Sequence, residues 1–462
     1  MVPCRFTKRV AICAILVLVS GYTQAETLLG AYHEALMSDP VLARARAQLV
    51  EDRAGEPLAR SALYPHVGVA ASVGENRAQV TGIGAPILTN YLSNSYSITL
   101  TQPLFNGRAF SAMDIADSQV HAGEAALAAA RQNLIVAVTR AYFGVLQAQA
   151  LARVARRQHR LLADLYRQAK AFLTVGTGDV IAVEEARADR DAATASLILA
   201  QNAVAVARQG LRRLTHRPVT DLWDVGPIAP QLPHPDQVGP WVATALQNQP
   251  VLRQARADLR ASRAAIQYQE RAAWPTVTIQ GVAQHGLNEL LPGVEMNQVG
   301  ASLNLSFPIY QGGEVSAATD QAEAAADVSG NRVRQVRDDI RLQTETAFLN
   351  GQASVAQWLA AKEALASARI SLKATRAGYQ VGARSLVDVL TVATQYAAAE
   401  RSYEAALYNQ VLARVALKAA VGILKPEDVL AVNALLTRRP PEDTLGARQG
   451  LVKDPTPSPE RP

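Results

Sequence analysis

The chain of 462 residues repeats itself once, and this repetition constrains its fold more than any other feature. Residues 35–47 align with residues 245–257 at a shift of 210 positions, and 8 of these 13 pairs are identical. Alanine-rich composition alone does not produce so many matches, so we interpret the repetition as a duplication. The sequence predicts a first structural repeat over 26–216 and a second over 240–437. A segment rich in proline and turn residues, 217–239, is the predicted linker between them.

Each repeat predicts a long helical hairpin. Its two helices are alanine-rich and meet at a short glycine-containing tip, at about 173–180 in the first repeat and 378–386 in the second. In the second tip Ser385 stands three residues before Asp388, which is the spacing of a capping box at a helix start. The long helices are predicted at about 108–172 and 314–377, and the returning helices at about 180–217 and 386–422. At ~1.5 Å per residue, each long helix measures roughly 100 Å.

Four segments alternate apolar residues with small or polar ones, which is typical of β-strands with one apolar face. Shorter helical patterns, at 26–62 and 240–273, precede the strands of each repeat. The predicted strands lie at about 66–75, 94–102, 276–286 and 297–307, with a loop at 75–94. The second strand of each repeat ends in a predicted strand–helix turn. The turn residues are Pro103, Gly107, Pro308 and Gly312.

Strands of about ten residues with one apolar face occur in membrane-spanning barrels and in half-buried sheets of soluble proteins. The pattern alone leaves both settings open. In lipid an open sheet edge leaves backbone groups unpaired, and four strands are too few to close a barrel. A membrane location therefore requires several copies of the chain. Three copies supply about twelve strands, whereas two supply about eight and leave no lumen.

The helices are rich in alanine and contain few aromatic residues, which make up 5% of the chain. Small side chains allow helices to approach closely and form a curved wall. A self-contained four-helix bundle, which is the alternative, needs a broader stripe of large apolar residues.

The N-terminus has the features of a secretory signal, predicted at 1–25. Arg5, Lys8 and Arg9 precede an apolar run, and Ala25 ends a small-residue cleavage site. A membrane anchor is the alternative, but the run is shorter than the ~20 residues that span a bilayer. After the signal we find no apolar run of ~18 residues and expect no transmembrane helix.

The composition excludes several classes of function. Both cysteines, Cys4 and Cys13, lie in the predicted signal, so we expect no disulfide, thiolate metal site or cysteine nucleophile in the mature chain. Loss of the signal lowers the formal net charge from +6 to +3, which is too little to indicate nucleic-acid binding. We find no metal-ligand spacing of histidines, phosphate-binding glycine loop or serine nucleophile elbow, and expect neither enzyme activity nor a cofactor. The charged, proline-rich segment 438–462 is predicted to be a disordered tail.

The chain resembles the TolC-type outer-membrane channel proteins of Gram-negative bacteria over about 26–430. The most specific matches are Gln102–Gly107 and Gly378–Leu390. The resemblance implies a mainly α fold with a small β part. In this implied fold a homotrimer forms a twelve-stranded transmembrane β-barrel in outer-membrane lipid. A long α-helical barrel continues it in the periplasm. It also implies a tunnel that is closed at the hairpin tips and opened by a periplasmic adaptor protein and an inner-membrane transporter of the ABC type or the proton-driven type.

The implied function is the exit duct of a tripartite export machine in the cell outer membrane. Within the family the chain looks most like the outer-membrane component of a type I system that secretes a protein toxin, such as an adenylate cyclase-haemolysin. An efflux pump for drugs or metals is the alternative within the family. A soluble periplasmic coiled-coil adaptor is the alternative from another class of protein.

The resemblance implies a periplasmic gate formed by Tyr379, Arg384 and Asp388. A second acidic ring of the family, one helical turn after Asp388, falls at Thr391 and is absent. The acceptor of the tyrosine hydroxyl falls at Ala182 and is absent too. Three acidic residues near the first tip are candidate partners for Arg384: Asp179, Glu184 and Glu185.

Each gate residue also has a simpler interpretation. Three Asp388 carboxylates on a threefold axis repel one another, which raises the pKa of some of them and attracts cations, but Asp388 can also serve only the capping box. Arg384 can be a solvated surface charge worth under ~1 kcal/mol. Tyr379 can contribute only to local packing of the hairpin.

Overall fold

We describe the fold from a computed structural model. It describes residues 27–80, 87–219, 221–226, 231–288 and 294–437. The predicted signal at 1–25 and the predicted tail at 438–462 lie outside the described residues. The described chain is mainly α-helical with a smaller β part.

The same order of elements occurs twice: two short helices, two strands, a long helix and a returning helix. The first set is α1 (Leu28–Ser38), α2 (Pro40–Ser61), β1 (His66–Val80), β2 (Ile87–Asn106), α3 (Gly107–Thr174) and α4 (Val180–Thr215). A short strand follows, β3 (Asp224–Val225). The second set is α5 (Val238–Asn248), α6 (Pro250–Glu270), β4 (Thr276–Leu287), β5 (Glu295–Ser306), α7 (Glu314–Gln380) and α8 (Leu386–Ala420). The described chain ends with α9 (Pro426–Asn433) and β6 (Leu436–Thr437).

A proline divides each short helical pattern into two helices, where the sequence predicted one. Asp39 separates α1 from α2 and caps α2 by accepting a hydrogen bond from the Leu42 N–H at 2.7 Å. Pro40 is the first residue of α2, where its missing N–H is not needed. Pro250 starts α6 in the same way. Within one continuous helix these prolines would each remove a backbone hydrogen bond, so the helix starts anew at each of them.

The four long strands form one antiparallel sheet in the order β1-β2-β4-β5, so β1 and β5 are its edges. The first hairpin is longer than predicted, because β1 continues to Val80 and β2 begins at Ile87, inside the predicted loop. Pairs such as Glu75↔Leu92 extend the ladder past its apolar part. Strand hydrogen bonds join main-chain groups, so a polar extension of a hairpin leaves no apolar pattern in the sequence.

The strand β2 also runs past its predicted end at 102, as far as Asn106. Its pairing with β4 shifts between Pro103 and Phe105. Proline has no N–H to donate to the ladder, which explains the bulge at this point. The second hairpin, β4 and β5, begins and ends within two residues of its prediction.

One face of the sheet is apolar and lies at the surface of the chain. Its exposed side chains include Val67, Val69, Val73, Ile98, Leu100, Val299, Leu303 and Leu305. A contiguous apolar face of this kind marks a surface that lipid or protein covers.

Aromatic side chains of α3 and α8 lie in the largest apolar core, which we name the main core. Tyr142 and Phe143 of α3 pack edge to face with ring centroids 5.9 Å apart, and Phe143 packs likewise on Tyr408 of α8 at 6.4 Å. Leu28 of α1 and Val429 of α9 are buried in the same core. The low aromatic content predicted a wall of small side chains, whereas the fold gathers several of the few large ones in one place.

Among the described residues, α3 contains an 18-residue window that is apolar enough, by composition, to cross a membrane, although the sequence predicts no transmembrane helix after the signal. Half of this window is buried inside the chain. A core helix passes the same test as a transmembrane helix, and α3 supplies many residues of the main core. Packing within the chain therefore accounts for part of its apolar composition.

The predicted linker contains a strand that pairs with the end of the described chain. In this antiparallel ribbon Asp224 of β3 lies opposite Thr437 of β6, and Val225 opposite Leu436. Leu436 is buried in the main core. The segment between the repeats is thus attached to the helices through the C-terminal strand.

Candidate functional site at the hairpin tips

Both hairpin tips reverse the chain through a glycine in the left-handed conformation, Gly176 with φ +79° and Gly382 with φ +75°. At the second tip the Gly382 N–H donates to the Tyr379 carbonyl at 3.1 Å, and the Ala383 N–H donates to the Gly378 carbonyl at 2.8 Å. These two bonds form a Schellman motif, which satisfies carbonyl groups that the end of α7 leaves unpaired. Only glycine adopts this backbone conformation without steric cost.

The start of α8 is closed by the predicted capping box. The Asp388 N–H donates to Ser385 Oγ at 3.1 Å, and the Ser385 N–H donates to Asp388 Oδ2 at 3.0 Å. Hydrogen bonding by the Ser385 backbone and then its side chain holds the pKa of Asp388 below its ordinary value of 3.8, and the nearby Arg384 charge lowers it further. In the single chain Asp388 is therefore ionised at neutral pH. The raised pKa expected of a three-carboxylate ring stays a prediction.

The exposed side chain of Arg384 lies across the end of α7. A Cβ atom at Gly378 would lie 2.9 Å from Arg384 Cγ, so the glycine leaves room for the arginine. Within the part of the chain that the structure describes, we find no ion pair that involves Arg384. The guanidinium is thus available to a group outside the single chain.

The acidic residues proposed as partners of Arg384 are not joined to it in the single chain. Asp179 caps α4, where its Oδ1 accepts a backbone N–H of the first turn at 3.0 Å. Glu184 lies 3.5 Å from Arg187 of its own helix, and Glu185 is exposed. Pairing of Arg384 with any of the three remains a prediction about neighbouring copies.

An apolar cluster joins the two tips, and Tyr379 packs at its edge together with Ala182. We name it the tip cluster; its buried members are Leu162, Leu165, Ala169, Val183, Ala186, Ala193, Leu386, Val389, Leu390 and Ala393. Burial raises the pKa of Tyr379. This placement favours the packing interpretation of Tyr379, since Ala182 offers its hydroxyl no side-chain acceptor.

The two strand–helix turns use glycine for different reasons. A Cβ atom at the buried Gly107 would lie 2.9 Å from Cε3 of Trp274, so the ring requires glycine there. Gly312 is exposed, has φ +61°, and has no atom of the described residues within 4 Å of a Cβ position. Pro103 lies at the bulge of β2, and Pro308 lies in the connection from β5 to α7.

A buried polar cluster around Asp224 of β3 was not predicted from the sequence. Its Oδ2 lies 3.2 Å from Nη2 of Arg153 on α3, and the Tyr408 hydroxyl of α8 donates to its Oδ1 at 2.8 Å. Burial, reinforced by the adjacent carboxylate, raises the pKa of Tyr408, which keeps the phenol as a donor. We name these three residues the Asp224 cluster. Its one signal in the sequence was an acidic residue between the apolar Trp223 and Val225.

Among the residues that the structure describes, no group of three or more His, Cys, Asp or Glu side chains could hold a metal ion. What the described residues contribute at the hairpin tips is therefore the turns, the charged side chains and the apolar packing.

The family of outer membrane efflux proteins matches this chain over residues 31–216 and 241–423. The chain therefore belongs to the outer membrane efflux protein family. The two matched segments cover both copies of the repeated set of elements.

Individual relatives agree with this assignment. Outer membrane protein TolC of Vibrio cholerae is 29% identical over 436 residues, which cover 92% of this chain and 97% of that protein. Alkaline protease secretion protein AprF of Pseudomonas aeruginosa is 26% identical over 437 residues, which cover 91% of this chain and 89% of that protein. The Campylobacter jejuni CmeC outer membrane channel has the same fold, with a TM-score of 0.78, 17% identity, and coverage of 88% of this chain and 89% of that one.

Three predictions from the sequence are thereby confirmed: the family, the mainly α fold with a smaller β part, and the location in the outer membrane. The protein is an outer membrane channel of the efflux and secretion class, and its family is one of channel proteins rather than enzymes.

Proposed function

We propose that three copies of this chain form a continuous duct through the outer membrane into the periplasm. The observation that carries this proposal is a four-stranded sheet with two free edges, β1 and β5, and an apolar face that the chain leaves exposed. In lipid every backbone polar group needs a partner, so the free edges must pair with other copies. Three copies supply about twelve strands, which leave room for a lumen, whereas about eight strands are filled by their own side chains.

The duct serves a type I secretion machine, in which a periplasmic adaptor and an inner-membrane transporter of the ABC type open its periplasmic end. The tip cluster supports an opening that involves both hairpins, because it packs residues of α3, α4 and α8 together. A force applied to one hairpin is therefore transmitted to the other. Arg384 and Asp388 supply the charges at this end, and Tyr379 supplies packing.

The proposed cargo is a protein toxin, such as an adenylate cyclase-haemolysin. A protein cargo is supported by the likeness to AprF, which is named for the secretion of alkaline protease. The family description names efflux, which supports drug or metal export, with a proton-driven transporter, as the second candidate function. A soluble adaptor does not fit membership of an outer membrane family.

The duct is tested by electrophoresis and conductance of the detergent-solubilised protein. We expect an unheated sample to migrate as a trimer, a boiled sample to migrate as a monomer, and the trimer to form channels in planar bilayers. A water-soluble monomer that forms no channels would contradict the proposal.

The cargo is tested by deleting the gene in the source bacterium and restoring it on a plasmid. Toxin secretion predicts that an exported protein disappears from the medium and returns on complementation, while susceptibility to drugs and metals stays unchanged. Increased susceptibility with an unchanged set of secreted proteins would assign the second function instead.

A further inference from the structure

The junction between the two repeats forms inside the chain, where β2 pairs with β4. In this register Ile98 lies opposite Ala283. At the base of the junction the Phe105 ring stacks on the Trp274 ring, with centroids 6.2 Å apart and planes 8° apart. Trp274 also covers Gly107, which is buried. The junction therefore has a defined strand register and an aromatic cover over its strand–helix turn.

The second repeat has the corresponding turn but lacks its cover. By the shifts of 205 and 210 positions that align the repeats, the counterparts of Phe105, Gly107 and Trp274 are Tyr310, Gly312 and Tyr64. Tyr310 is 87% exposed and Tyr64 is 54% exposed, whereas Phe105 is half-buried. The chain thus carries two exposed tyrosines, the counterparts of this aromatic contact, at opposite edges of its sheet.

We propose that a second copy of the chain completes this contact and that the junction between copies repeats the junction within the chain. Resting on the ring proposed above, β5 of one copy pairs with β1 of the next in the register of β2 and β4. Transferring the register places Leu303 opposite Val73, and Leu305 opposite Ala71, of the neighbouring copy. Tyr64 of the neighbouring copy then stacks on Tyr310, as Trp274 stacks on Phe105.

Two independent features agree with this pairing, one with the direction of the strands and one with the faces that they align. Every neighbouring pair in the sheet is antiparallel, so with four strands β5 runs antiparallel to β1 of the next copy, as β2 does to β4. The transferred register also aligns the apolar positions of β5 with those of β1, such as Leu303 with Val73. A slip by one residue would place the apolar face of one strand beside the polar face of the other.

The register can be tested by disulfide cross-linking, because no cysteine follows Cys13 in the sequence. In an oxidised trimer, Leu303→Cys combined with Val73→Cys should link the copies covalently, as seen on a boiled, non-reducing gel. The matched control is Ile98→Cys with Ala283→Cys, the equivalent pair within one chain, which should close without linking copies. The displaced pair, Leu303→Cys with Glu75→Cys, keeps the same face and should link far less.

Each result has a distinct meaning. The register would be overturned if Leu303→Cys linked to Glu75→Cys rather than to Val73→Cys. It would also be overturned if neither pair linked the copies while the control within the chain closed. Either result would leave the duct intact. Absence of a heat-sensitive trimer from the unaltered chain would overturn the proposed function itself.

The aromatic contact is tested separately by the temperature at which the trimer dissociates. Tyr64→Ala and Tyr310→Ala should each lower it, and the double variant should lower it little further, since both remove the same contact. Additive shifts, or no shift from either change, would overturn the contact. Because both side chains are exposed in the single chain, these variants should leave its folding intact.

Discussion

Asp388 accepts a hydrogen bond from the Ser385 backbone and stands in the first turn of α8, where the helix dipole favours a negative charge. The capping box explains the residue without reference to a pore. A ring of three Asp388 carboxylates would explain the same residue as part of the pore lining. The two explanations predict different effects of substitution.

If Asp388 lines the pore, Asp388→Ala should lower the cation selectivity of the channel and weaken its block by multivalent cations. Ser385→Ala is the matched control, because it removes the hydroxyl half of the capping box and keeps the carboxylate. Conductance and reversal potentials in planar bilayers measure both variants. Selectivity that Asp388→Ala leaves unchanged would remove this residue from the pore.

If Asp388 lines the pore, the pH at which cation selectivity fades shows whether its three carboxylates are crowded together. The pKa of Asp388 is lowered in the folded chain, so the contribution of its charge to stability is present above 3.8 and is lost as the pH falls through the lowered value. A pore lined by well-separated carboxylates should therefore stay selective below pH 3.8. Crowded carboxylates raise one another's pKa and would lose selectivity above that pH. Ser385→Ala should shift the midpoint upward in either case.

Two glycines with positive φ, Gly382 and Gly422, separate the cost of the backbone conformation from the cost of a steric clash. Gly382→Ala at the tip meets no atom of the described part of the chain within 4 Å, so we expect only the conformational cost of about 1 kcal/mol. Gly422→Ala, after α8, places its Cβ 2.7 Å from Cα of Gln249, which adds about 1–3 kcal/mol of overpacking. Thermal unfolding followed by circular dichroism should rank Gly422→Ala as clearly the more destabilising. Equal effects would contradict the close backbone contact.

At the scale of elements, the Asp224 cluster attaches the β3–β6 ribbon to two helices of different hairpins. The side chains of Asp224 and Arg153 are 12% and 14% exposed, so their pairing occurs largely out of water. A buried ion pair contributes little compared with apolar packing, but removing one partner leaves the other charge uncompensated. The cluster therefore makes the position of the ribbon specific.

We expect Asp224→Ala to lower the free energy of unfolding by about 3–5 kcal/mol. The matched control is Glu124→Ala, which breaks the exposed Arg53–Glu124 pair, 58% and 47% exposed, and should cost under about 1 kcal/mol. Urea unfolding of the detergent-solubilised protein measures both. Similar losses for the two variants would show that Asp224 is not the structural link that its geometry indicates.

On the scale of the whole molecule, the two ends of the described chain meet. The Leu29 N–H of α1 donates to Asn433 Oδ1 of α9 at 3.2 Å, and Val429 and Leu436 are buried in the main core with Leu28. The C-terminal elements thus complete the core that the N-terminal helix begins.

Truncation after Thr437 should therefore preserve trimer stability and conductance, because it keeps α9 and β6. Truncation after Lys425 should lower the unfolding temperature and the yield of trimer, because it uncovers the main core and leaves β3 unpaired. Unheated gel electrophoresis with a temperature series compares the two. An intact trimer from the shorter chain would contradict this account of the core.

Much of the architecture could be predicted from local patterns. The tips, the capping box at Ser385 and the apolar face of the strands all rest on residues a few positions apart, and the duplication is seen when such local patterns are compared between the two halves of the chain. Such patterns record helix periodicity, strand alternation and end capping, which depend on near neighbours in the chain. The polar extension of β1 to Val80 was not predicted, because main-chain pairing needs no particular side chain.

Only the tertiary structure decided which distant groups meet. It pairs β2 with β4, places Trp274 against Gly107, and brings Tyr408 to Asp224 across 184 positions of the chain. It also packs Tyr379 at the edge of the tip cluster, where the sequence left a gate role and local packing both open. Contacts of this range depend on the path of the whole chain, and no local periodicity records that path. The sequence by itself therefore determined the main helices and strands, and the packing of those elements determined what their side chains touch.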